Sequence, residues 1–215
     1  MKSGFLVSFE GVDGSGKSTQ ATMLYDRFIR ENFPALIVRE PGGTDLSEQI
    51  RSILLDTTHA GMAASAEFLL YAASRAQLVA EKIKPALNQG KVVICDRFSD
   101  SSLAYQGFGR GVDKTFIQRT NMQATQNILP DITFIVDIDI NTAQKRALQN
   151  NQSPDRLEGE NKRFKIRVRD GYRRIANETS DRVILLQGTQ SIELLHESIW
   201  EKVMQRLKSK RVVTR

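Results

Sequence analysis

The sequence contains one cysteine, Cys95, and two histidines in 215 residues. A single cysteine leaves no disulfide framework, which suits a reducing compartment. The histidines and the cysteine do not have the spacing of a zinc site. No apolar run is long enough to span a bilayer, and the one that ends at Glu10 is too short for a secretory signal. We therefore expect a cytoplasmic protein that binds no membrane.

Aromatic residues make up only 7% of the chain and are not interleaved with its basic clusters. A groove for single-stranded nucleic acid needs such interleaving, so no nucleic acid is expected as a partner. The formal charge of +6 favours anionic partners, and small polyphosphates meet that description. The length and the hydrophobic content of 40% suit a single domain over residues 1–215.

Residues 9–19, which read FEGVDGSGKST, have the spacing of a Walker A phosphate loop. The apolar run Phe5–Phe9 before them predicts a buried strand, and Ser18–Glu31 after them predicts a helix. In such a loop the backbone N–H groups converge on phosphates, the lysine reaches the β- and γ-phosphates, and the following hydroxyl ligates Mg²⁺. The alternative is a glycine-rich turn that binds nothing. The candidate loop residues are Gly11, Val12, Asp13, Gly14, Ser15, Gly16, Lys17, Ser18 and Thr19.

Apolar runs alternate along the chain with segments of helical period, which predicts a doubly wound α/β fold with a central parallel sheet. The predicted strands are Phe5–Phe9, Leu36–Val38, Val92–Cys95, Ile132–Asp137 and Val183–Leu186. The predicted helices are Ser18–Glu31, Leu46–Leu55, Ala64–Asn88, Lys114–Asn127, Asn141–Asn150, Phe164–Asn177 and Ile192–Leu207. Ligands bind at the carboxyl ends of such strands, where the phosphate loop and the residues after Val38 and Cys95 would meet.

Two segments do not have the pattern of a helix or strand. Thr57–Ser65 is a connector of small residues. Residues 150–161 are polar and contain Pro154 and Gly159, a composition that suits either a mobile flap beside an active site or a plain surface loop. Gly107–Gly111 has the spacing of part of a dinucleotide fingerprint, but it follows no strand, so we interpret it as a turn.

Three further segments carry candidate functional residues. Asp96 and Arg97 end a predicted strand, where they could hold Mg²⁺ and an anion or simply pair with each other. Residues 39–44 read REPGGT and predict a tight turn after the second strand, with Arg51 one helix segment later. Taken alone, this composition is more typical of a plain loop than of a binding site. Tyr71 and Arg75 are four residues apart on one helix face. This pair would either stack on a base and read its edge or belong to the core.

The motifs together resemble the bacterial thymidylate kinases, which are P-loop nucleoside monophosphate kinases. They occur in family order over residues 5 to about 158 and, except for the phosphate loop, are specific only as a set. They comprise the phosphate loop, Arg39-Glu40-Pro41-Gly42-Gly43, Tyr71-x₃-Arg75, Asp96-Arg97, Ser101-Ser102-x-Ala104-Tyr105-Gln106-Gly107 and Asp155-Arg156-Leu157-Glu158.

The resemblance implies a three-layer P-loop kinase fold with a five-stranded parallel sheet, helices on both faces and a lid at about residues 150–161. It also implies transfer of a phosphoryl group from ATP to dTMP, with the phosphate-loop residues on ATP. Asp13 would contact the acceptor 3′-hydroxyl, and Arg51 and Arg97 would hold the dTMP phosphate. The other implied base and sugar contacts are Tyr71 stacked on thymine, Arg75, Ser102 and Gln106 on its polar edge, and Tyr105 against the 2′ position.

The implied mechanism needs no general base, because a dTMP phosphate oxygen is already anionic near neutral pH. Lys17, Arg97 and Mg²⁺ on Ser18 and Asp96 would neutralise the transferring group. The family takes an additional arginine either from the phosphate loop, where this chain has Gly14, or from the lid. The second arrangement makes Arg156 a catalytic residue.

Other interpretations stay open at the level of sequence. Arg146 contacts ATP or lies on a solvated helix face. A kinase for another nucleoside monophosphate is the nearest rival, whereas a GTP-binding switch is disfavoured because no Asn-Lys-x-Asp run occurs. A homodimer formed through the long helices is expected only because the family dimerises.

Overall fold

The computed structural model describes residues 4–148 and 155–213. Five strands form one parallel sheet, as the sequence predicts, and the structure shows their order to be β2-β3-β1-β4-β5. Every residue of the central strand β1 is buried, which explains why most of its side chains are apolar. The strands are β1 (Phe5–Glu10), β2 (Ala35–Arg39), β3 (Val92–Asp96), β4 (Ile132–Asp137) and β5 (Val183–Gln187).

Helices cover both faces of the sheet, which confirms the three-layer α/β architecture. On one face, Phe5, Val7 and Phe9 of β1 pack against side chains of the first and last helices. On the other face, Leu6 packs with the side chains of Leu78 and Ile83. The helices are α1 (Lys17–Arg30), α2 (Asp45–Leu55), α3 (Ala64–Leu78), α4 (Lys84–Asn88), α5 (Ser99–Ser102), α6 (Lys114–Ala124), α7 (Ile140–Leu148), α8 (Lys162–Glu178) and α9 (Ile192–Val213).

Two π-helical turns depart from the predicted pattern. The helix predicted over Ala64–Asn88 is interrupted by a π-helical turn at Val79–Ile83, which joins α3 to α4. A second one, Leu103–Gly109, continues α5, so the interpretation of Gly107–Gly111 as a turn is wrong for its first three residues. Glycine is needed there because a Cβ on Gly109 would lie 2.7 Å from the ring of Phe164 on α8.

Most of the remaining local predictions agree with the structure. Cys95 is fully buried in β3, as a small apolar side chain would be. The connector after α2 contains a 3₁₀ turn at Thr57–His59. Residues 155–161 form turns before α8, whereas residues 149–154 of the predicted lid lie outside the described residues. No helix in the described ranges has the length and apolar character that crossing a membrane requires.

Candidate active site

The phosphate loop connects β1 to α1 and depends on its glycines. Gly11, Gly14 and Gly16 have φ angles of +137°, +79° and +96°, which residues with a Cβ rarely adopt. A Cβ on Gly14 would also lie 2.3 Å from the carbonyl oxygen of Ala143. The loop therefore needs glycine for its turns and, at Gly14, for its close approach to α7.

The N-terminus of α1 is open to an anion. Gly16 occupies the N-cap and offers no side-chain acceptor to the first N–H groups of the helix. These groups and the positive end of the helix dipole favour a phosphate. The side chain of Lys17 is buried, and the buried hydroxyl of Ser15 has no hydrogen-bond partner among the described residues. A bound phosphate would provide acceptors for both groups.

Asp13 links this loop to the end of β3. Its Oδ1 accepts hydrogen bonds from Lys17 Nζ at 3.2 Å and from Arg97 Nη2 at 2.5 Å. Burial alone would raise the pKa of Asp13, but the charges of Arg97 and Lys17 outweigh it and hold this pKa well below its usual range. The side chain of Asp13 is nevertheless 36% exposed. An ionised carboxylate therefore lies between two cations and within reach of a ligand.

Arg97 follows β3 with a φ of +73°, which is uncommon for a residue with a side chain and frequent at functional sites. Its Nη1 donates to the carbonyl oxygen of Gly11 at 2.9 Å and to the hydroxyl of Tyr172 at 3.2 Å. Burial would lower the pKa of Arg97, but the oxygen groups around it raise this pKa well above its usual range. Arg97 is thus a permanent cation in a fixed position.

Asp96 offers a fit for the predicted metal. Its Oδ1 is buried and has no hydrogen-bond partner in the described part of the chain, which is unfavourable unless water or a cation contacts it. Its strand register places it beside Phe9 at the start of the phosphate loop. No group of three or more acidic, histidine or cysteine side chains that could hold a metal occurs in residues 4–148 and 155–213. The arrangement suits Mg²⁺, which uses few protein ligands and several phosphate oxygens.

Glu10 forms a buried acidic position beneath Arg97. Its carboxylate accepts hydrogen bonds from the backbone N–H of Phe98 at 2.8 Å, from the Ser101 hydroxyl at 2.5 Å and from the Tyr172 hydroxyl at 3.0 Å. Burial, together with the charge of Asp100, raises the pKa of Glu10 to about 7. Glu10 therefore carries only part of a charge near neutral pH.

A cavity next to Asp13 and Arg97 contains nearly all of the predicted substrate residues. Every one of them except Arg75 is part of its wall. The wall consists of Asp13, Glu40, Pro41, Arg51, Leu55, Tyr71, Arg97, Ser101, Ser102, Tyr105, Gln106, Asp155, Leu157 and Glu158. The predicted set is therefore brought together in space, although it comes from four separate segments of the sequence.

Two rings and one further arginine shape this cavity. Arg51 Nη1 donates to the carbonyl oxygen of Pro41 at 2.9 Å, which fixes the guanidinium at the wall. The Tyr105 ring lies 5.1 Å from the Arg97 guanidinium, and its hydroxyl donates to Asp13 at 3.3 Å. Burial raises the pKa of the Tyr71 hydroxyl, so this ring is neutral and suited to stacking.

Arg75 lies behind the wall and is 1% exposed. Its Nε and Nη2 lie 2.8 Å and 2.7 Å from Glu40 Oε2, and its Nη1 donates to Ser102 at 3.0 Å. Two more bonds go to Asn121 Oδ1 at 2.7 Å and to the carbonyl oxygen of Phe98 at 3.1 Å. Burial raises the pKa of Glu40 more than the Arg75 charge lowers it. In this arrangement Arg75 positions Ser102, and its direct contact with a base stays a prediction.

Arg156 is held beside the cavity by groups on α2 and α3. Its Nη1 donates to Glu67 Oε2 at 2.6 Å and its Nε to the carbonyl oxygen of Leu54 at 2.8 Å. Its neighbours Asp155 and Leu157 line the cavity, whereas Arg156 does not. Its buried Nη2 has no partner among the described residues. The predicted lid arginine is therefore close to the site but bound to a helix.

Arg146 lies on α7 and is half-buried. Its Nη1 donates to the carbonyl oxygen of Gly188, just after β5, at 3.1 Å. The side chain is thus anchored rather than freely solvated, and its contact with ATP stays a prediction.

Sequence reasoning missed four residues with several contacts to the site. Ser101 and Tyr172 bind Glu10, while Glu67 and Arg110 form the ion cluster around Arg156. Ser101 belonged to a recognised motif and could have been chosen from it. Glu67 and Tyr172 occupy helices whose apolar period indicates only a buried face, and Arg110 directly follows the second π-helical turn. Nothing in the sequence shows which partner a buried polar side chain meets.

The comparisons with known proteins agree with one another. The thymidylate kinase family model matches residues 9–199. The thymidylate kinase of Halothermothrix orenii is 47% identical over 203 residues, which cover 93% of this chain and 96% of that protein. That of Caldanaerobacter subterraneus subsp. tengcongensis is 44% identical and covers 97% and 99%. The crystal structure of thymidylate kinase from Ehrlichia chaffeensis has a TM-score of 0.77 and 33% identity, with coverage of 94% and 99%.

Proposed function

This chain belongs to the thymidylate kinase family, and on that premise we propose how its loop and cavity divide the work. The reaction transfers the γ-phosphoryl group of ATP to dTMP and yields ADP and dTDP. ATP occupies the phosphate loop and dTMP occupies the adjacent cavity. The bond between the Asp13 carboxylate and Arg97 carries this proposal, because it joins the phosphate loop to the residue that follows β3, and both residues line the cavity.

The acceptor phosphate binds between Arg51 and Arg97, which both belong to the cavity wall. Bidentate guanidinium groups suit a phosphate better than point charges do. Asp13 accepts a hydrogen bond from the 3′-hydroxyl of the sugar, and Tyr105 occupies the 2′ side and disfavours ribose. Tyr71 stacks on thymine, while Ser102 and Gln106 contact its polar edge and Arg75 supports Ser102.

Catalysis consists of alignment and charge neutralisation. The attacking phosphate oxygen is anionic near pH 7, since the second pKa of a phosphate monoester is about 6. No residue therefore needs to remove a proton. Lys17 binds the β- and γ-phosphates, and Arg97 fixes the acceptor in line with them. The Ser18 hydroxyl and the Asp96 carboxylate would hold Mg²⁺, directly or through water, and the bound ion would neutralise phosphate charge.

Arg156 supplies the remaining positive charge from the lid, since the phosphate loop has Gly14 where an arginine would otherwise serve. Its present bonds to Glu67 and Leu54 hold the guanidinium near the cavity but outside its wall. Catalysis then requires Arg156 to exchange the Glu67 carboxylate for the transferring phosphoryl group.

An ATP-coupled assay with Mg²⁺ tests this function against other acceptors. The nucleotides dTMP, dUMP, dCMP, dGMP and UMP are compared by kcat/KM. We expect dTMP to rank first and UMP to be rejected because of its 2′-hydroxyl. Phosphorylation of dCMP or dGMP ahead of dTMP would contradict the acceptor assignment, and failure to form any dTDP would indicate a nucleotide-binding regulator.

We also propose that the protein is a cytoplasmic homodimer. Four large apolar side chains on three helices are 41–50% exposed, and a second copy packed against these helices would cover them. They are Leu46 and Ile53 on α2, Leu69 on α3 and Phe116 on α6. Sedimentation of the wild type and of Phe116→Glu measures this directly. We expect the wild type to sediment as a dimer and Phe116→Glu to dimerise more weakly. A wild type that is monomeric at micromolar concentration would contradict the proposal.

A further inference from the structure

Glu67, on α3, is fully buried and accepts hydrogen bonds from three different segments. Gln106 Nε2 donates to its Oε1 at 2.8 Å, and Arg156 Nη1 donates to its Oε2 at 2.6 Å. Arg110 donates from Nη2 to Oε2 at 3.1 Å. One carboxylate thus connects the cavity wall, the end of the second π-helical turn and the segment that carries Arg156.

The charge of Glu67 determines which end of the Gln106 amide can face it. A carboxylate accepts hydrogen bonds and donates none, so only the Nε2 end of the amide can bind there. Burial would raise the pKa of Glu67, but the hydrogen bonds from Gln106, Arg110 and Arg156 lower it below its usual range. The carboxylate therefore stays ionised, and the amide cannot turn over without losing its bond.

The opposite end of the amide, Oε1, is then left for a ligand. Gln106 is only 2% exposed, yet it belongs to the cavity wall. Within the described residues, the only hydrogen bond of its side chain is the one to Glu67. An acceptor oxygen at this position suits the N3–H donor of thymine and opposes the N3 lone pair of cytosine.

We propose that Glu67 is a positioning residue for base selectivity, which fixes the amide of Gln106 with its oxygen toward the cavity and so favours thymine over cytosine. This inference rests on the proposed function, since it assumes that the cavity holds the pyrimidine of a nucleoside monophosphate. It assigns to Glu67 an effect on selectivity that acts through Gln106 and does not require contact with the nucleotide.

The test compares dTMP with 5-methyl-dCMP, because these nucleotides have the same 5-methyl group and differ only at positions 3 and 4 of the ring. Glu67→Gln retains the size of the side chain but can donate as well as accept, so the Gln106 amide becomes free to turn. We expect the ratio of kcat/KM for dTMP over 5-methyl-dCMP to fall by about tenfold or more, the equivalent of one hydrogen bond. Glu160→Gln is the matched control, since Glu160 binds Arg110 at 2.6 Å but is not bonded to Gln106.

A second variant keeps the inference testable if Glu67→Gln does not fold. Gln106→Leu should lower the same ratio to a similar extent, and Glu67→Gln added to Gln106→Leu should change it no further. Any of three results would overturn the inference. The first two are an unchanged ratio in folded Glu67→Gln and an unchanged ratio in Gln106→Leu. The third is a fall in Glu160→Gln as large as the fall in Glu67→Gln. A wild type that does not prefer dTMP at all would instead contradict the proposed function.

Discussion

The two sides of the cavity hold their arginines in different ways. On the strand side, Arg97 follows β3 and is bound by a backbone carbonyl, by Asp13 and by two tyrosine hydroxyls. On the helix side, Arg156 is bound by one carbonyl and by Glu67, which it shares with Arg110. The strand side is fixed by many partners, whereas on the helix side the Arg156 guanidinium has one carbonyl and one carboxylate that it shares with Arg110. This difference suits a fixed acceptor site on one side and a moving cation on the other.

Removal of the Arg156 guanidinium should have the largest effect. Arg156→Ala is expected to lower kcat by about 10³–10⁵-fold, the range for arginine fingers in phosphoryl transfer, while the KM for dTMP changes far less. Steady-state kinetics with both substrates measure this. Arg110→Ala is the matched control, because it also removes a cation from Glu67. An unchanged kcat in Arg156→Ala, or an equal loss in Arg110→Ala, would refute the role of Arg156.

Removal of the Arg97 guanidinium should act on the acceptor instead. Arg97→Ala leaves Asp13 without its 2.5 Å partner and removes a phosphate ligand, so kcat/KM for dTMP is expected to fall on the order of 10²-fold or more. The affinity for ATP should change less, which isothermal titration with an ATP analogue can measure. Arg27→Ala, at a surface ion pair with Glu197, controls for loss of an arginine. Equal losses for ATP and dTMP would contradict the division between loop and cavity.

The pH dependence of stability should identify the partly charged Glu10. Its pKa in the folded protein is about 7, raised from an ordinary 4.5, so the folded state favours the protonated form. The contribution to stability is complete below about pH 4.5 and is lost as the pH rises through 7, by up to about 3 kcal/mol. Urea unfolding of Glu10→Gln and wild type from pH 5 to 8 should show the variant gaining relative stability. Exposed Glu201→Gln is the control, and a pH-independent difference would contradict the buried position of this charge.

Loss of the Tyr172 hydroxyl should have the smallest effect. Tyr172→Phe removes hydrogen bonds to Glu10 and Ser101 and is expected to cost about 1 kcal/mol of stability. The kcat/KM for dTMP should stay within a few-fold of wild type, because Arg97 keeps its other partners. Tyr25→Phe, at a half-buried position on α1, is the control in thermal unfolding. A large loss of activity would mean that α8, through Tyr172, supports the position of Arg97 more than its contacts indicate.

The strand side could be predicted from the sequence because its signals are local. The phosphate loop, Asp96 and Arg97 all lie directly after apolar strands, and parallel strands present their carboxyl ends at one edge. The sequence predicts that these residues lie close to one another, but it does not give the distances between them. Sequence reasoning missed the hydrogen bonds of Ser101 and Tyr172 to Glu10 on this side, which join residues 91 and 162 positions apart.

The helix side could not be assembled from sequence patterns. Glu67 meets Arg156 at a separation of 89 positions and Gln106 at 39, and helical periodicity specifies only which face is buried. The π-helical turn that carries Gln106 contains two glycines, which favoured the wrong interpretation as a turn. This turn packs against α8, and the packing requires Gly109. The contact joins segments that are distant in sequence, so local patterns do not reveal it.

A crystal structure of the protein with dTMP and an unreactive ATP analogue would show directly whether dTMP occupies the cavity and ATP the phosphate loop. We expect the dTMP phosphate to bind Arg97 and Arg51. Thymine should stack on Tyr71 with its N3–H facing Gln106 Oε1. Arg156 should have moved from Glu67 to the ATP phosphates. A dTMP phosphate bound away from Arg97, with Asp13 still bonded to Lys17, Arg97 and Tyr105 and not to the sugar, would contradict this prediction.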